Sequence, residues 1–174
     1  IPGTIGGAVK MNAGCYGSQT ADNLLRVLII NQYCKIEYIN VNDLKLNYRS
    51  SGIKDNSIVL KADFKFQYGL QEDIINKNNQ IKSKRENSQP LRKKTSGSTF
   101  KNPPGEFAAK LIEKAGCKGM KIGGASVSIV HSNFIVNDGS ANAHDIENLG
   151  KNIVRKVKEK FGITLEWEIK ILGK

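Results

Sequence analysis

A serine stands behind a glycine in TSGSTFKNPPG, Thr95 to Gly105, and it is the first residue here whose setting can do chemistry. Gly97 and the Pro103–Pro104 pair mark the stretch as a loop, because glycine and proline interrupt helix and strand interiors. Pro103 also confines Asn102 to extended geometry. Ser98 therefore sits on a fixed loop, where it either presents its hydroxyl to a substrate or bonds its own turn. Ser98 and Lys101 spell S-x-x-K, and Lys94-Thr95-Ser96 resembles K-T-G, two motifs of penicillin-binding enzymes. The fit is poor: that chemistry needs the serine at a helix start and the second triplet far downstream, whereas here the two nearly overlap and prolines follow.

Other candidates are spread along the chain. Arg49, in the turn NYRSSG, is either a surface arginine or a fork able to hold a carboxylate. Glu166 and Glu168 alternate along LEWEIKIL, which on a strand puts both on one side and Trp167, Ile169 and Ile171 on the other. His131, between two short strands, reads as structural. The opening IPGTIGGA has glycines spaced G-x-x-G-G, which is neither the G-x-G-x-x-G dinucleotide fingerprint nor a P-loop. It offers backbone N–H groups with no side chains in front of them, suited to a phosphate or a flat ring, or else a plain tight turn. Cys15, Cys34 and Cys117 form no C-x-x-C pair, and with His131 and His144 the only histidines no metal site is expected. Reduced thiols point to the cytoplasm.

The elements that must position these residues follow from periodicity. The first ten residues read as a glycine-rich loop and MNAGCYG as turns. Residues 25–31 and 34–40 read as a hairpin, and 57–66 as a third strand. A polar segment follows a composition change at Tyr68–Gly69; it is helical at best and stopped by Pro90. EFAAKLIEKAG predicts a helix closed by Gly116, ASVSIV and NFIVN short strands, and ITLEWEIKIL a last strand. Ile146, Leu149, Ile153, Val157 and Phe161 predict a long helix, with Asn142 as cap, Asp145 completing a capping box and Gly162 as stop.

The formal net charge is +11, and eight of the 27 basic residues lie between Lys77 and Lys101, with Glu86 the only acid there. That is about twice what even spreading would give. Such a window can solvate a surface, bind nucleic acid or grip a phosphorylated ligand. Phe100 is its only aromatic, so bases would find little to stack on, and nucleic acid is not the expected partner. The apolar runs are too short for a bilayer span, and no membrane association is expected.

Read in order, IPGTIGGAVKMNAG, LNYRSSG, RENSQP, GSTFKNPPGEFAAKLIEKAG, GGASVSIVHSNFIVN and LEWEIKILG resemble the flavoprotein family of UDP-N-acetylenolpyruvoylglucosamine reductases (MurB) over nearly the whole chain. The resemblance implies an α+β fold. Residues 1–68 would be the C-terminal lobe of a two-lobed FAD-binding domain of the PCMH, vanillyl-alcohol-oxidase-like type, and 69–174 an α+β substrate-binding domain. It implies FAD contacts from Pro2, Gly3, Thr4, Gly6, Gly7, Asn12, Gly14 and Tyr16, and substrate contacts from Tyr48, Arg85 and Asn102. Arg49, Ser98 and Glu168 fall on the family's catalytic arginine, proton-donating serine and glutamate. The implied activity is reduction of UDP-N-acetylglucosamine enolpyruvate to UDP-N-acetylmuramate in peptidoglycan precursor synthesis, with NADPH as co-substrate. Too few residues separate Phe66 from Ser98 for the family's tyrosine-bearing insertion, so the shorter type is expected. The family's upstream FAD lobe would be a missing partner from the same polypeptide. The piece alone is then expected to bind FAD weakly or not at all, its strands between 25 and 66 partly unpaired.

Overall fold

Residues 3–173 are described by the structure, a computed structural model, so Pro2 lies outside the described residues. The opening segment is not simply a loop. Residues Ile5–Lys10 form a short helix, α1, because the Thr4 hydroxyl accepts from the Gly7 N–H at 3.1 Å and fully buried Val9 anchors the inner side. Threonine capping and one apolar contact outweigh the low helix propensity of Gly6 and Gly7.

A two-residue hairpin follows, β1 (Gly14–Cys15) and β2 (Ser18–Gln19), then a 3₁₀ turn at Thr20–Asp22. The main sheet of this unit is antiparallel, with β3 (Leu24–Ile30) between β4 (Ile36–Asn40) and β5 (Ile58–Phe64). The expected hairpin is therefore present, and its turn is tight: Cys34 adopts φ 58 and donates to the Asn31 carbonyl. Val27 pairs with Ile39 and Ala62, and a register shift at Leu28–Ile29 inserts Leu60 as a bulge. Val27 and Ile29 turn toward a core of Val9, Leu24, Leu44 and Ile53. On the other face, Ile36, Tyr38 and Ile58 stay 48–64% exposed. β4 and β5 are the sheet's edges.

Helix α2 (Gln71–Ser88) buries none of its side chains, as its polar sequence requires. Two compact units divide inside it, one running to Asn76 and the other from Lys77. In the second unit, α3 (Ala108–Lys114) and α4 (Ala143–Phe161) accompany an antiparallel sheet of β6 (Lys121–Ile122), β7 (Ala125–Val127) and β8 (Ile135–Asn137). Leu149, Ile153 and Val157 recur on one face of α4 and join Phe100, Leu111, Ile112, Val127 and Leu165 in the core. The α4 start is a reciprocal box: Asn142 accepts from the Asp145 N–H at 2.9 Å, and Asp145 accepts from the Asn142 N–H at 3.1 Å. Gly162, at φ 70, ends it.

The last predicted strand does not form. Only Trp167 pairs, in a single antiparallel bridge with Phe100, and the flanking residues are irregular. The apolar alternation that suggested a strand fades with it: Leu165 is buried, but Ile171 is 44% exposed.

Candidate active site

Ser98 is half-buried and follows Gly97, whose φ of 87 suits glycine and beside which a Cβ would meet nothing within 4 Å. The glycine thus turns the chain immediately before the serine. Ser98 pairs with Phe134 in an isolated antiparallel bridge, and the Thr99 N–H donates to the Asn133 carbonyl at 2.8 Å. The neighbouring C-terminal segment is laced to the same stretch. Glu168 N–H donates to the Thr99 carbonyl at 2.9 Å, and Lys101 N–H to the Glu166 carbonyl at 2.8 Å. Backbone pairing therefore brings the segments of Ser98 and Glu168 together. Glu166 is largely exposed and ion-pairs with Lys101 at 3.3 Å.

Packing fixes this arrangement. The Trp167 ring lies 4.9 Å from that of Phe100. Its far edge occupies a slot in α4 where a Cβ on buried Gly150 would stand 2.0 Å from the indole. Glycine in mid-helix costs roughly 1 kcal/mol against alanine, and here the close approach of an aromatic ring requires it. Asn102 serves the fold, since its Oδ1 accepts from the Ala108 N–H at 3.0 Å and so closes the proline loop onto the start of α3. Arg85 donates to Gln89 at 3.4 Å at the end of α2. His131 accepts from the Asn133 N–H at 3.3 Å, and burial holds its imidazole below the ordinary value.

The unit ending at Asn76 carries the remaining candidates. At the open end of α1, Gly3, Thr4 and Gly7 are exposed, and Ile5 and Gly6 keep N–H groups with no partner inside the helix. Gly3 adopts φ 144, and a Cβ there would meet nothing within 4 Å among the described residues. Asn12 is 2% exposed; its amide donates to Gln19 and to the Asn47 carbonyl, and its Oδ1 accepts from the Ala21 N–H. It thus joins Gln19, Ala21 and Asn47. Gly14 is glycine for a packing reason, since a Cβ there would stand 2.7 Å from the Ser18 carbonyl oxygen. Tyr16 tops the β1–β2 turn at φ 52. Arg49, at φ 56, donates to the Gly14 carbonyl at 3.3 Å and lies 4.8 Å over the ring of half-exposed Tyr48.

Cavities do not mark the chemistry. One of about 250 Å³, lined by Thr95, Thr99, Asn137, Ile146 and Ile169, flanks the Ser98 loop without including Ser98 or Glu168. A larger one of about 610 Å³ lies by Tyr33, Lys45 and Ile53 of the first unit and contains none of the candidates. Phe100, the only aromatic in the basic window, is 1% exposed and belongs to the core, so the window has no stacking platform for nucleic acid. Sequence reasoning missed Asn133, read only as the first residue of a strand, and Gly150 and Trp167, whose contact joins distant segments. No helix among the described residues is long and apolar enough to cross a membrane.

A family model described as UDP-N-acetylenolpyruvoylglucosamine reductase, C-terminal domain, matches residues 89–172. Curated proteins named UDP-N-acetylenolpyruvoylglucosamine reductase are similar along the whole chain. That of Parvibaculum lavamentivorans is 46% identical over 99% of this chain and 56% of its own length. That of Novosphingobium aromaticivorans is 46% identical over 100% of this chain and 59% of its own. Among solved structures, UDP-N-acetylenolpyruvylglucosamine reductase (MurB) from Thermus caldophilus is 38% identical, with a TM-score of 0.84 over 97% of this chain and 60% of that one. The chain thus spans somewhat more than half the length of these relatives and shares their mixed α and β fold.

Proposed function

The chain belongs to the UDP-N-acetylenolpyruvoylglucosamine reductase family, and from that premise we propose that it supplies the substrate-protonating half of such a reductase. The substrate is UDP-N-acetylglucosamine enolpyruvate, reduced at its enol ether double bond in the cytoplasm. The observation that supports this reading is the backbone hydrogen bond from the Glu168 N–H to the Thr99 carbonyl, which joins the segment of Glu168 to the residue after Ser98.

The reaction adds hydride to the methylene carbon and a proton to the adjacent carbon. FAD, when bound, supplies the hydride after reduction by NADPH. The open end of α1 suits such a cofactor, because its exposed glycines and the N–H groups outside the helical ladder leave backbone donors uncovered. Gly3, Thr4, Gly6 and Gly7 would hold it, with Tyr16 beside them, while Asn12 and Gly14 keep the neighbouring turns in shape. Arg49, with Tyr48 stacked beneath its guanidinium, donates a fork to the substrate carboxylate as negative charge spreads into it. Glu168 shares a proton with that carboxylate in its enediolate form. Ser98 gives its hydroxyl proton to the carbanionic carbon and is reprotonated from solvent. A serine is a weak acid in water, but the carbanion is basic enough for a positioned hydroxyl to serve. Arg85 and neighbouring lysines take the diphosphate, and residues 69–174 form the substrate domain.

The test uses a polypeptide carrying this chain at the length of its relatives, reduced anaerobically with NADPH and then mixed with UDP-N-acetylglucosamine enolpyruvate. Return of the yellow flavin absorption supports the reading. Ser98→Ala is expected to leave reduction by NADPH intact and to slow that return by at least ~10²-fold, the lower range for general acid catalysis. Unchanged reoxidation would take the proton away from Ser98, and a flavin that stays bleached in the unsubstituted protein would remove the substrate.

A further inference from the structure

A proton donor is only as well placed as the backbone beneath it, and a loop between a glycine and two prolines cannot define that backbone alone. Asn133 supplies the constraint. Only 4% of it is exposed, and its side-chain amide engages both polar atoms of Phe100. Oδ1 accepts from the Phe100 N–H at 3.0 Å, and Nδ2 donates to the Phe100 carbonyl at 2.7 Å. Its own carbonyl takes the Thr99 N–H at 2.8 Å. One buried residue thus makes three hydrogen bonds to the two residues immediately after Ser98, and the Thr99 carbonyl in turn receives the Glu168 N–H.

The chemistry demands asparagine. Aspartate keeps the acceptor but loses the donor, and glutamine displaces the amide by about one C–C bond, ~1.5 Å. Alanine leaves the Phe100 N–H and carbonyl buried without partners, a costly state inside a core.

We infer that Asn133 is a positioning residue for the proposed proton transfer, clamping the Thr99–Phe100 backbone so that the Ser98 hydroxyl stays in register with the Glu168 segment. The inference rests on the reductase reading. Misplacement by about 1 Å costs on the order of 10²-fold in rate, so loss of the clamp is expected to reach the chemical step without touching the reacting atoms.

Two measurements separate this role from a merely structural one. In the chain as it stands, amide hydrogen exchange should show Thr99 and Phe100 protected. Asn133→Ala, which removes the side-chain acceptor of the Phe100 N–H but keeps the backbone acceptor of the Thr99 N–H, should abolish the protection of Phe100 while α4 keeps its own. In the polypeptide at its relatives' length, the same substitution should leave flavin reduction by NADPH unchanged. Substrate-dependent reoxidation should slow ~10-fold to 10²-fold with little change in KM. In a Ser98→Ala background it should cost less than about threefold, because the group it positions is gone. Asn133→Asp, nearly isosteric, gives the same comparison if the alanine variant does not fold. Equal slowing of both half-reactions, or an undiminished effect in the Ser98→Ala background, would make Asn133 structural only. Unprotected Thr99 and Phe100 amides in the unsubstituted chain would remove the clamp whatever the enzyme does. An unsubstituted enzyme that ignores the substrate would instead remove the reductase reading, and the positioning role with it, while leaving the exchange result to stand as a fact of the fold.

Discussion

In the unit ending at Asn76, positive φ falls on Asn12, Tyr16, Cys34 and Arg49 as well as on glycines. In the unit from Lys77 it falls on glycines such as Gly97, Gly116 and Gly162, and among other described residues on Arg92 alone. A non-glycine residue gives up about 1–2 kcal/mol in that region. The second unit lets glycine carry its turns and keeps its candidate serine unstrained. The first holds three of its candidate ligand residues, Asn12, Tyr16 and Arg49, in conformations a glycine would adopt freely. Strain of this kind persists where the side chain is wanted at that place, and for Asn12 the reason is visible in its three hydrogen bonds, to Gln19, Ala21 and Asn47.

The contrast can be broken first at Gly150. Gly150→Ala places a methyl group where the Trp167 ring lies, and overpacking of this kind costs about 1–3 kcal/mol. Urea unfolding of the second unit should move to lower denaturant while the first is unaffected. An unmoved midpoint would mean that the indole is not held in the slot. Arg49→Gly sharpens the comparison from the other side. It should change the stability of the first unit by no more than about 1 kcal/mol, because relieved strain is offset by the lost stacking on Tyr48 and the lost hydrogen bond to the Gly14 carbonyl, and it should abolish substrate-dependent reoxidation. A first unit destabilised by more than that would show that the arginine serves the fold and not the substrate.

The smallest effect is a pH dependence of the second unit. Burial lowers the His131 pKa in the folded state, so the unfolded chain takes up the proton first. Stability should therefore fall as pH drops through the unfolded value near 6.5 and level off below the folded one. Protonation also removes the acceptor that His131 offers the Asn133 N–H. A His131→Asn variant should lose this part of the slope, and a wild-type profile flat through that range would contradict it.

What was legible in the sequence was local. The α4 face and its two caps, the β3–β4 hairpin and the glycine before Ser98 are set by residues within a few positions of one another, and each appears as read. What was not legible depended on partners far along the chain. Two glycines in α1 look like loop until Thr4 and buried Val9 are seen to hold them. LEWEIKIL alternates like a strand, but only Trp167 finds a pairing partner, in Phe100. Asn133 acts across 33 positions on Phe100, a separation that no periodicity records. The site residues were reached through the family resemblance, and their settings through the packing.

The Trp167 slot also makes the molecule its own reporter. It is the single tryptophan of the chain, next to Glu168, whereas all five tyrosines, at positions 16, 33, 38, 48 and 68, precede Asn76. Excitation near 295 nm therefore addresses the serine-bearing unit alone, and tyrosine emission addresses the other. A ligand that settles against Glu168 should change the colour of the indole's light before any turnover is seen.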